Sequence, residues 1–183
     1  MKLDPVSTHG PIAADRLTLR PARKSDAGVL ALYSGDIRVA SNTASIPHPL
    51  PPGTTEAYLA RVMAPGSDEV VWVLDGSTDL SEGRVRDVLG VISLTEMDRA
   101  QVELSYWVAP AFWNAGVASE AVRALVKANP LNSTTIFACV FQDNAASARV
   151  LTNAGFEYVG DAESFCVARG TTVPTWTYLL KLP

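Results

Sequence analysis

The order of apolar and polar positions predicts a chain in which short helices and strands follow one another. Residues 16–20 alternate apolar and polar side chains, which is typical of a half-buried strand, and Pro21 ends it. Ser25 or Asp26 can then cap a helix that Gly35 ends. The first part of the domain therefore predicts a strand followed by a helix.

A long loop rich in proline comes next. Residues 36–54 contain four prolines within six positions, which is incompatible with a helix or a central strand. Loops of this length in a compact domain are often functional. The following helix begins at Thr54 or Thr55 and ends at Pro65–Gly66, and its inward side chains are Tyr58, Val62 and Met63.

Apolar runs predict most of the remaining strands. Three of them, 69–74, 88–94 and 102–108, come in succession, with residues 75–87 as a loop after the first. In 102–108 the two faces differ, and they carry Val102, Leu104, Tyr106 and Val108 on one side and Glu103, Ser105 and Trp107 on the other. The remaining predicted elements are a helix containing Ala118, Ala121, Val122 and Leu125, a strand 135–141, a short helix from Asn144 to Gly155, and strands 157–167 and 173–181.

These elements predict one α/β domain with a mixed sheet over residues 15–183, preceded by a flexible arm, residues 1–14. The formal charge of −4 provides no basic excess for a nucleic-acid partner. Two cysteines and two histidines, which lie far apart in the sequence, are too few for a Cys/His metal cluster, so no metal is expected. The apolar runs are too short to span a bilayer, and we expect a cytoplasmic protein without membrane contact.

Two segments carry candidate chemistry, and the first is Trp113–Ala121, between a strand and a helix. Gly116 and Ala118 allow the backbone to approach a bound group closely. The first N–H groups of a helix have no partner within it, so this helix start can hold a pyrophosphate. A tight strand–helix turn without a ligand is the alternative. The glycine patterns of dinucleotide-binding and P-loop sites do not occur.

The second segment is Asp143–Phe156. Asn144 is positioned to cap a helix, and Gly155 to provide the left-handed turn after it. Ser147 lies three positions after Asn144 and can share its face of the helix. Capping alone does not explain this serine.

Together these segments resemble the GNAT N-acetyltransferases. Trp113–Ala121 is similar to the acetyl-CoA pyrophosphate loop of that family, and in particular to the branch of the ribosomal-protein N-terminal acetyltransferases. The pattern Asn144-x-x-Ser147 followed by Gly155-Phe156 resembles the second motif of that branch. Residues 16–21 resemble its opening strand, and 103–108 the strand before the loop. All four occur in family order across residues 14–181.

The resemblance implies a GNAT-like fold, with a twisted, mostly antiparallel sheet of about seven strands, about four helices and a splayed parallel strand pair. It implies direct transfer of an acetyl group from acetyl-CoA to an amine, without a metal. Backbone groups near Trp107, Val108 and Ala109 would bind the pantetheine arm. The pyrophosphate would lie on the N–H groups of Asn114, Ala115, Gly116, Val117, Ala118 and Ser119, and the side chains of Asn144 and Ser147 would also contact CoA.

The catalytic residues implied by the resemblance are Glu103 as the general base and Ser147 as the acid for the departing thiolate. Three positions depart from the family's pattern of catalytic residues. Leu151 stands where many members have a tyrosine acid, and Cys139 and Cys166 stand where others have glutamates. Glu103 could instead be an ordinary strand carboxylate, with Glu163 acting through water. We expect both cysteines to be buried packing residues.

Three interpretations are open for the group that would receive the acetyl group. The resemblance favours an amine, such as a protein N-terminus, with His48 and Tyr106 at the acceptor pocket. A small-molecule amine such as an antibiotic or a polyamine is one alternative, and a CoA-binding sensor domain without activity is another. A homodimer is expected only because symmetric dimers are common.

Overall fold

In the computed structural model of the chain, residues 9–76 and 88–183 are described. Residues 1–8 of the predicted arm and 77–87 of the predicted loop lie outside this range. The described strands are β1 Ile12–Ala13, β2 Thr18–Pro21, β3 Glu69–Asp75, β4 Val88–Glu96, β5 Gln101–Val108, β6 Thr135–Phe141, β7 Glu157–Cys166 and β8 Thr171–Lys181. The described α-helices are α1 Ala27–Ser34, α2 Ile37–Ala40, α3 Thr54–Val62, α4 Val117–Ala128 and α5 Ala145–Asn153.

All eight described strands form one sheet in the order β1-β2-β3-β4-β5-β6-β8-β7. Each neighbouring pair is antiparallel except β5 and β6, which are parallel. The predicted mixed, mostly antiparallel sheet with one parallel pair is therefore confirmed. The structure has one strand and one α-helix more than the sequence predicts. These are β1 and α2, which are only two and four residues long.

The parallel pair is short, and its two strands then separate. β5 and β6 pair only from Gln101 with Thr135 to Glu103 with Phe137. Beyond this point β5 continues to pair with β4 as far as Val108, while β6 pairs with β8 as far as Phe141. The sheet therefore opens between two strands that are each still held by an outer neighbour.

The two faces of the sheet bury different cores. The larger core lies under α4 and α5 and includes Trp72, Ile92, Leu104, Leu125 and Leu151. The smaller core lies under α1 and α3 and is formed by Leu30, Leu59, Val62, Val71, Val73 and Val91. The predicted alternation of β5 is confirmed, because Val102, Leu104 and Val108 are buried in the larger core.

A partly buried ion-pair network fixes the start of α1 to the sheet. Asp26 does not cap α1 with its side chain. It accepts hydrogen bonds from Nη1 and Nη2 of Arg20 at 2.9 and 2.7 Å, and from the Arg23 N–H at 2.8 Å. Arg20 Nε also donates to Asp75 at 2.7 Å. Asp26 is the N-cap residue of α1, as predicted, but its carboxylate binds Arg20 of β2 and the Arg23 N–H and makes no capping hydrogen bond to α1.

The structure also corrects the predictions for the loop 36–54, for the start of α3 and for the N-terminal arm. The predicted loop 36–54 contains α2, because the Asp36 side chain accepts a hydrogen bond from the Arg38 N–H and starts a helical turn. α3 begins after Gly53, whose φ of 82° makes it the N-cap in place of a threonine. Part of the predicted arm, β1, pairs with β2, so the predicted arm is too long.

Gly90 of β4 lies beside the end of β5, where it pairs with Val108. A Cβ at this position would overlap the carbonyl oxygen of Trp107 and lie 2.9 Å from Cα of Val108. We expect Gly90→Ala to lower the free energy of unfolding by about 2 kcal/mol or more, because two backbones must move apart. Urea unfolding measures this effect.

The matched control is Gly28→Ala in α1, where a Cβ meets no atom within 4 Å. An alanine in a helix is favoured over glycine by about 0.5–1 kcal/mol, so this variant should be as stable as the wild type or more stable. Equal stability of Gly90→Ala and the wild type would contradict the close approach of β4 and β5.

Candidate active site

The gap between β5 and β6 opens into a cleft of about 1080 Å³. Tyr106 and Ser147 line it on the side of α5, whereas Glu103, Ser105 and Trp107 line it on the side of α1 and α3. Because these residues belong to opposite faces of the sheet, the cleft connects the two faces through the gap. A ligand in the gap can therefore meet groups from both sides.

A loop with left-handed backbone lines the cleft at the start of α4. Asn114 and Gly116 have φ values of 59° and 77°. Gly116 is the N-cap of α4, and no side chain caps this helix. The N–H groups of the first turn consequently have no partner within the helix, which is the arrangement that binds anions. Of the residues predicted for this loop, all line the cleft except Ala115.

Arg16 and Glu120 support this loop. The backbone N–H of Arg16 donates to Glu120 Oε1 at 2.6 Å, and its Nε donates to Oε2 at 2.8 Å. Arg16 Nη2 also donates to the carbonyl oxygen of Ala115 at 2.9 Å. Glu120 is therefore a buried ion-pair partner at the start of α4. No sequence pattern indicates this pair, because the two residues are 104 positions apart.

The backbone of β5 offers hydrogen-bonding groups to the gap at alternate residues. The Ala109 N–H donates to the Leu89 carbonyl oxygen at 2.8 Å and therefore faces β4. Alternation along the strand directs the backbone groups of Trp107 to β4 as well, and those of Tyr106 and Val108 to the gap. Of the three predicted backbone positions only Val108 faces the gap, and its carbonyl already accepts from Trp113 Nε1 at 2.7 Å.

Tyr106 and Ser147 form a hydrogen-bonded pair of hydroxyls inside the cleft. Their oxygens are 2.8 Å apart, and Tyr106 also donates to the Ser147 carbonyl at 3.1 Å. Burial raises the pKa of Tyr106 to about 12, against the opposing effect of its bond with Ser147. Asn144 caps α5 as predicted, accepting from the Ser147 N–H at 3.2 Å. The capping residue thus places Ser147 opposite Tyr106.

Glu103 lines the cleft where the two strands begin to separate. Cys139 of β6 lies nearby and is exposed, so the prediction that it is a buried packing residue is wrong. Desolvation raises the pKa of the Cys139 thiol against the effect of the Thr177 hydroxyl, and the negative charge of Glu103 adds to the increase. Glu163 lines the cleft from β7. Both candidate carboxylates therefore face the same space.

The loop before α3 forms another wall of the cleft. Ile46, Pro47 and Leu50 line the cleft, whereas the predicted acceptor residue His48 does not. His48 is exposed, and its Nδ1 lies 3.1 Å from the Gly35 carbonyl oxygen. The histidine thus points toward the end of α1, and its apolar neighbours form the wall.

Contacts from the β7–β8 turn hold this loop in place. Arg169 Nε donates to the Ser41 carbonyl at 2.8 Å, and its Nη1 lies 2.6 Å from Asp143 Oδ2. The hydrogen bond and charge of Arg169 lower the pKa of the Asp143 carboxyl. Cys166 is buried as predicted, and its thiol donates to the Thr43 carbonyl at 3.2 Å. These long-range contacts have no signature in the sequence.

Within residues 9–76 and 88–183, no three His, Cys, Asp or Glu side chains come together in a way that could hold a metal ion. No helix in these two stretches combines the length and apolar character of a membrane span.

Comparisons with known proteins agree with this geometry. Residues 16–157 match the family described as "Acetyltransferase (GNAT) domain". The uncharacterised N-acetyltransferase YoaA of Bacillus subtilis is 32% identical over 97 residues, which are 52% of this chain and 54% of that protein. The chain thus spans about half the length of this curated relative.

Solved structures share the fold over nearly the whole chain. The microcin C7 self-immunity acetyltransferase MccE, in complex with acetyl-CoA and AMP, has a TM-score of 0.79 at 15% identity, covering 97% of this chain and 99% of its own. The ribosomal L7/L12 α-N-protein acetyltransferase RimL, in complex with CoA, has a TM-score of 0.76 at 16% identity, covering 99% and 98%.

The chain therefore belongs to the GNAT acetyltransferase family, whose members are acetyl-CoA-dependent acyltransferases. This confirms the family that the four sequence motifs indicate. The fold likeness extends beyond the family match to β8, the last strand of the sheet.

Burial of Tyr106 predicts a specific dependence of stability on pH. Between pH 10 and about 12 the folded state keeps the Tyr106 proton, whereas the unfolded chain loses it. The free energy of unfolding therefore falls as pH rises through this interval, and Tyr106 contributes at most about 1.4 kcal/mol per pH unit to the fall. Tyr106→Phe removes this contribution, so its stability should fall less steeply.

Urea unfolding of the wild type and Tyr106→Phe at several pH values up to about 11.5 measures the difference. The other tyrosines are present in both proteins, so only the difference in slope is interpreted. Parallel curves for the two proteins would show that Tyr106 is not held in its protonated form.

Proposed function

We propose that the protein transfers an acetyl group from acetyl-CoA to a primary amine, with a protein N-terminal α-amine as the favoured acceptor. The observation that carries this proposal is the divergence of β5 from β6, which opens a cleft between an anion-binding loop and Glu103. A donor with phosphates at one end and a thioester at the other fits such a cleft.

The described groups fit the parts of CoA in order. The N–H groups at the start of α4 receive the pyrophosphate, because they are unpaired and lie at the positive end of the helix dipole. The backbone groups of Tyr106 and Val108 that face the gap are placed to bond the pantetheine arm. The thioester then lies in the gap near Ser147, with the acceptor entering from the side of Glu103.

The chemistry requires a neutral amine, a stabilised oxyanion and a proton for the thiolate. Glu103 accepts the proton that the attacking nitrogen loses. Ser147 donates its hydroxyl proton toward the sulfur as the carbon–sulfur bond breaks. An α-amine has a pKa of about 7.7–8 and needs less help to lose its proton than a lysine near about 10.4, which favours a protein N-terminus as the acceptor.

The activity itself is tested by free-thiol release from acetyl-CoA in the presence of an acceptor panel. The panel contains peptides with different N-terminal residues, a polyamine and an aminoglycoside, and mass spectrometry identifies acetylated products. Turnover with peptides supports the proposal, and turnover with the small amines only would identify the alternative acceptor class. CoA binding without turnover on any amine would favour a sensor domain.

Substitution of the two catalytic candidates should affect turnover more than binding. We expect Glu103→Gln and Ser147→Ala each to lower kcat by about 10²–10⁴-fold, the usual contribution of a positioned acid or base. The dissociation constant of acetyl-CoA should change little, because neither side chain belongs to the phosphate loop. Stopped assays and calorimetry measure the two quantities.

Glu163→Gln is the control, since this carboxylate lines the same cleft from β7. A loss of activity in Glu163→Gln with none in Glu103→Gln would transfer the role of base to Glu163. Full activity of Ser147→Ala would remove Ser147 from the role of acid.

The phosphate loop is tested by Gly116→Glu. This change places a side chain and a negative charge where the pyrophosphate is proposed to bind, so CoA should no longer raise the melting temperature. Gly66→Glu is the matched control, because Gly66 has a φ of 79°, close to the 77° of Gly116, and lies outside the cleft. CoA stabilisation of Gly116→Glu equal to that of Gly66→Glu would contradict the location of the loop.

We further propose that the reaction takes place in the cytoplasm, which is supported by two free cysteines that suit a reducing compartment. A homodimer is proposed on the general frequency of symmetric assemblies. The proposed reaction requires no nucleic acid, membrane or metal.

A further inference from the structure

The start of α4 contains charges with opposite effects on a bound phosphate. The unpaired N–H groups of its first turn attract an anion. Glu120 belongs to the same turn, and its side chain is only 8% exposed. A carboxylate shielded from solvent acts over a longer range than an exposed one, because water and salt screen it less. It would repel the phosphates that this helix start attracts unless a cation lies beside it.

Arg16 is the cation in that position. It contacts both carboxylate oxygens of Glu120, through its backbone N–H at 2.6 Å and through Nε at 2.8 Å. Among the described residues, Arg16 donates both hydrogen bonds found for this carboxylate. Its positive charge therefore offsets the negative charge next to the helix start.

The same guanidinium also contacts the loop. Arg16 Nη2 donates to the Ala115 carbonyl oxygen at 2.9 Å, and a Cβ on Gly116 would lie 3.2 Å from this nitrogen. Arg16 thus binds the carbonyl of the residue just before the N-cap. A carbonyl oxygen engaged in this way is not free to turn toward a phosphate, which it would repel.

We propose that Arg16 enables the start of α4 to bind the pyrophosphate of CoA, by offsetting the charge of Glu120 and fixing the Ala115 carbonyl. The proposal rests on the proposed function, since it takes this loop as the CoA site. Arg16 acts through Glu120 and Ala115, so it is a positioning residue and not a catalytic one.

The electrostatic role predicts an order of affinities. Arg16→Gln leaves the Glu120 charge without its partner and should weaken CoA binding by about tenfold or more. Glu120→Gln removes the repulsive charge, so its affinity should stay within about threefold of the wild type. The double variant should bind CoA more tightly than Arg16→Gln. If the pair had only a structural role, Arg16→Gln and Glu120→Gln would lower the affinity for CoA by similar amounts.

Calorimetric titration of CoA into the wild type, both single variants and the double variant tests this order, at low and at physiological ionic strength. Higher salt should reduce the difference between the wild type and Arg16→Gln, because it screens the repulsion. Lys127→Gln is the control, since it removes one positive charge from an exposed position in the last turn of the same helix. It should bind CoA like the wild type.

Thermal unfolding without ligand shows whether each variant folds. If Arg16→Gln does not fold, Arg16→Lys and Glu120→Gln carry the test, and both should retain CoA affinity within about threefold. The proposal is overturned if Glu120→Gln loses as much affinity as Arg16→Gln, if Arg16→Lys or Glu120→Gln binds CoA more than about threefold more weakly than the wild type, or if the double variant binds no better than Arg16→Gln. A wild type that does not bind CoA would instead contradict the proposed function.

Discussion

The candidate active-site cleft depends on the short pairing between β5 and β6. Three paired residues on each strand fix their relative position, and the hydrogen bonds of β5 to β4 and of β6 to β8 then draw the strands apart. Gly90 allows β4 to approach the end of β5 closely on the outer side. The gap is therefore a consequence of sheet pairing on both sides, and it exposes backbone hydrogen-bonding groups without breaking the sheet.

This opening joins groups that come from distant parts of the chain. α4 starts at one end of the gap and presents unpaired N–H groups. α5, capped by Asn144, places Ser147 against Tyr106 on one side, while Glu103 reaches the cleft from the other. Under the proposed function, the division of the sheet into two faces separates a donor side from an acceptor side, and the gap is where the two sides meet.

Sequence patterns predicted the elements whose signal is local. Neighbouring residues are enough to predict the alternation of β5, the Asn144 cap and the glycine before α4. The resemblance to a family then implied that these features belong to one CoA site. Contacts between distant positions left no pattern, such as Arg16 with Glu120 or Tyr106 with Ser147. Cys139 was mispredicted because a hydrophobic run suggests burial on both faces, whereas the opening of the sheet exposes one.

The central claim is that the gap between β5 and β6 holds the acetyl donor. A crystal structure of the protein with CoA tests it most directly. The account predicts the pyrophosphate on the N–H groups at the start of α4 and the pantetheine arm between β5 and β6, with its sulfur near Ser147. CoA bound elsewhere, or an arm that leaves the gap empty, would contradict it.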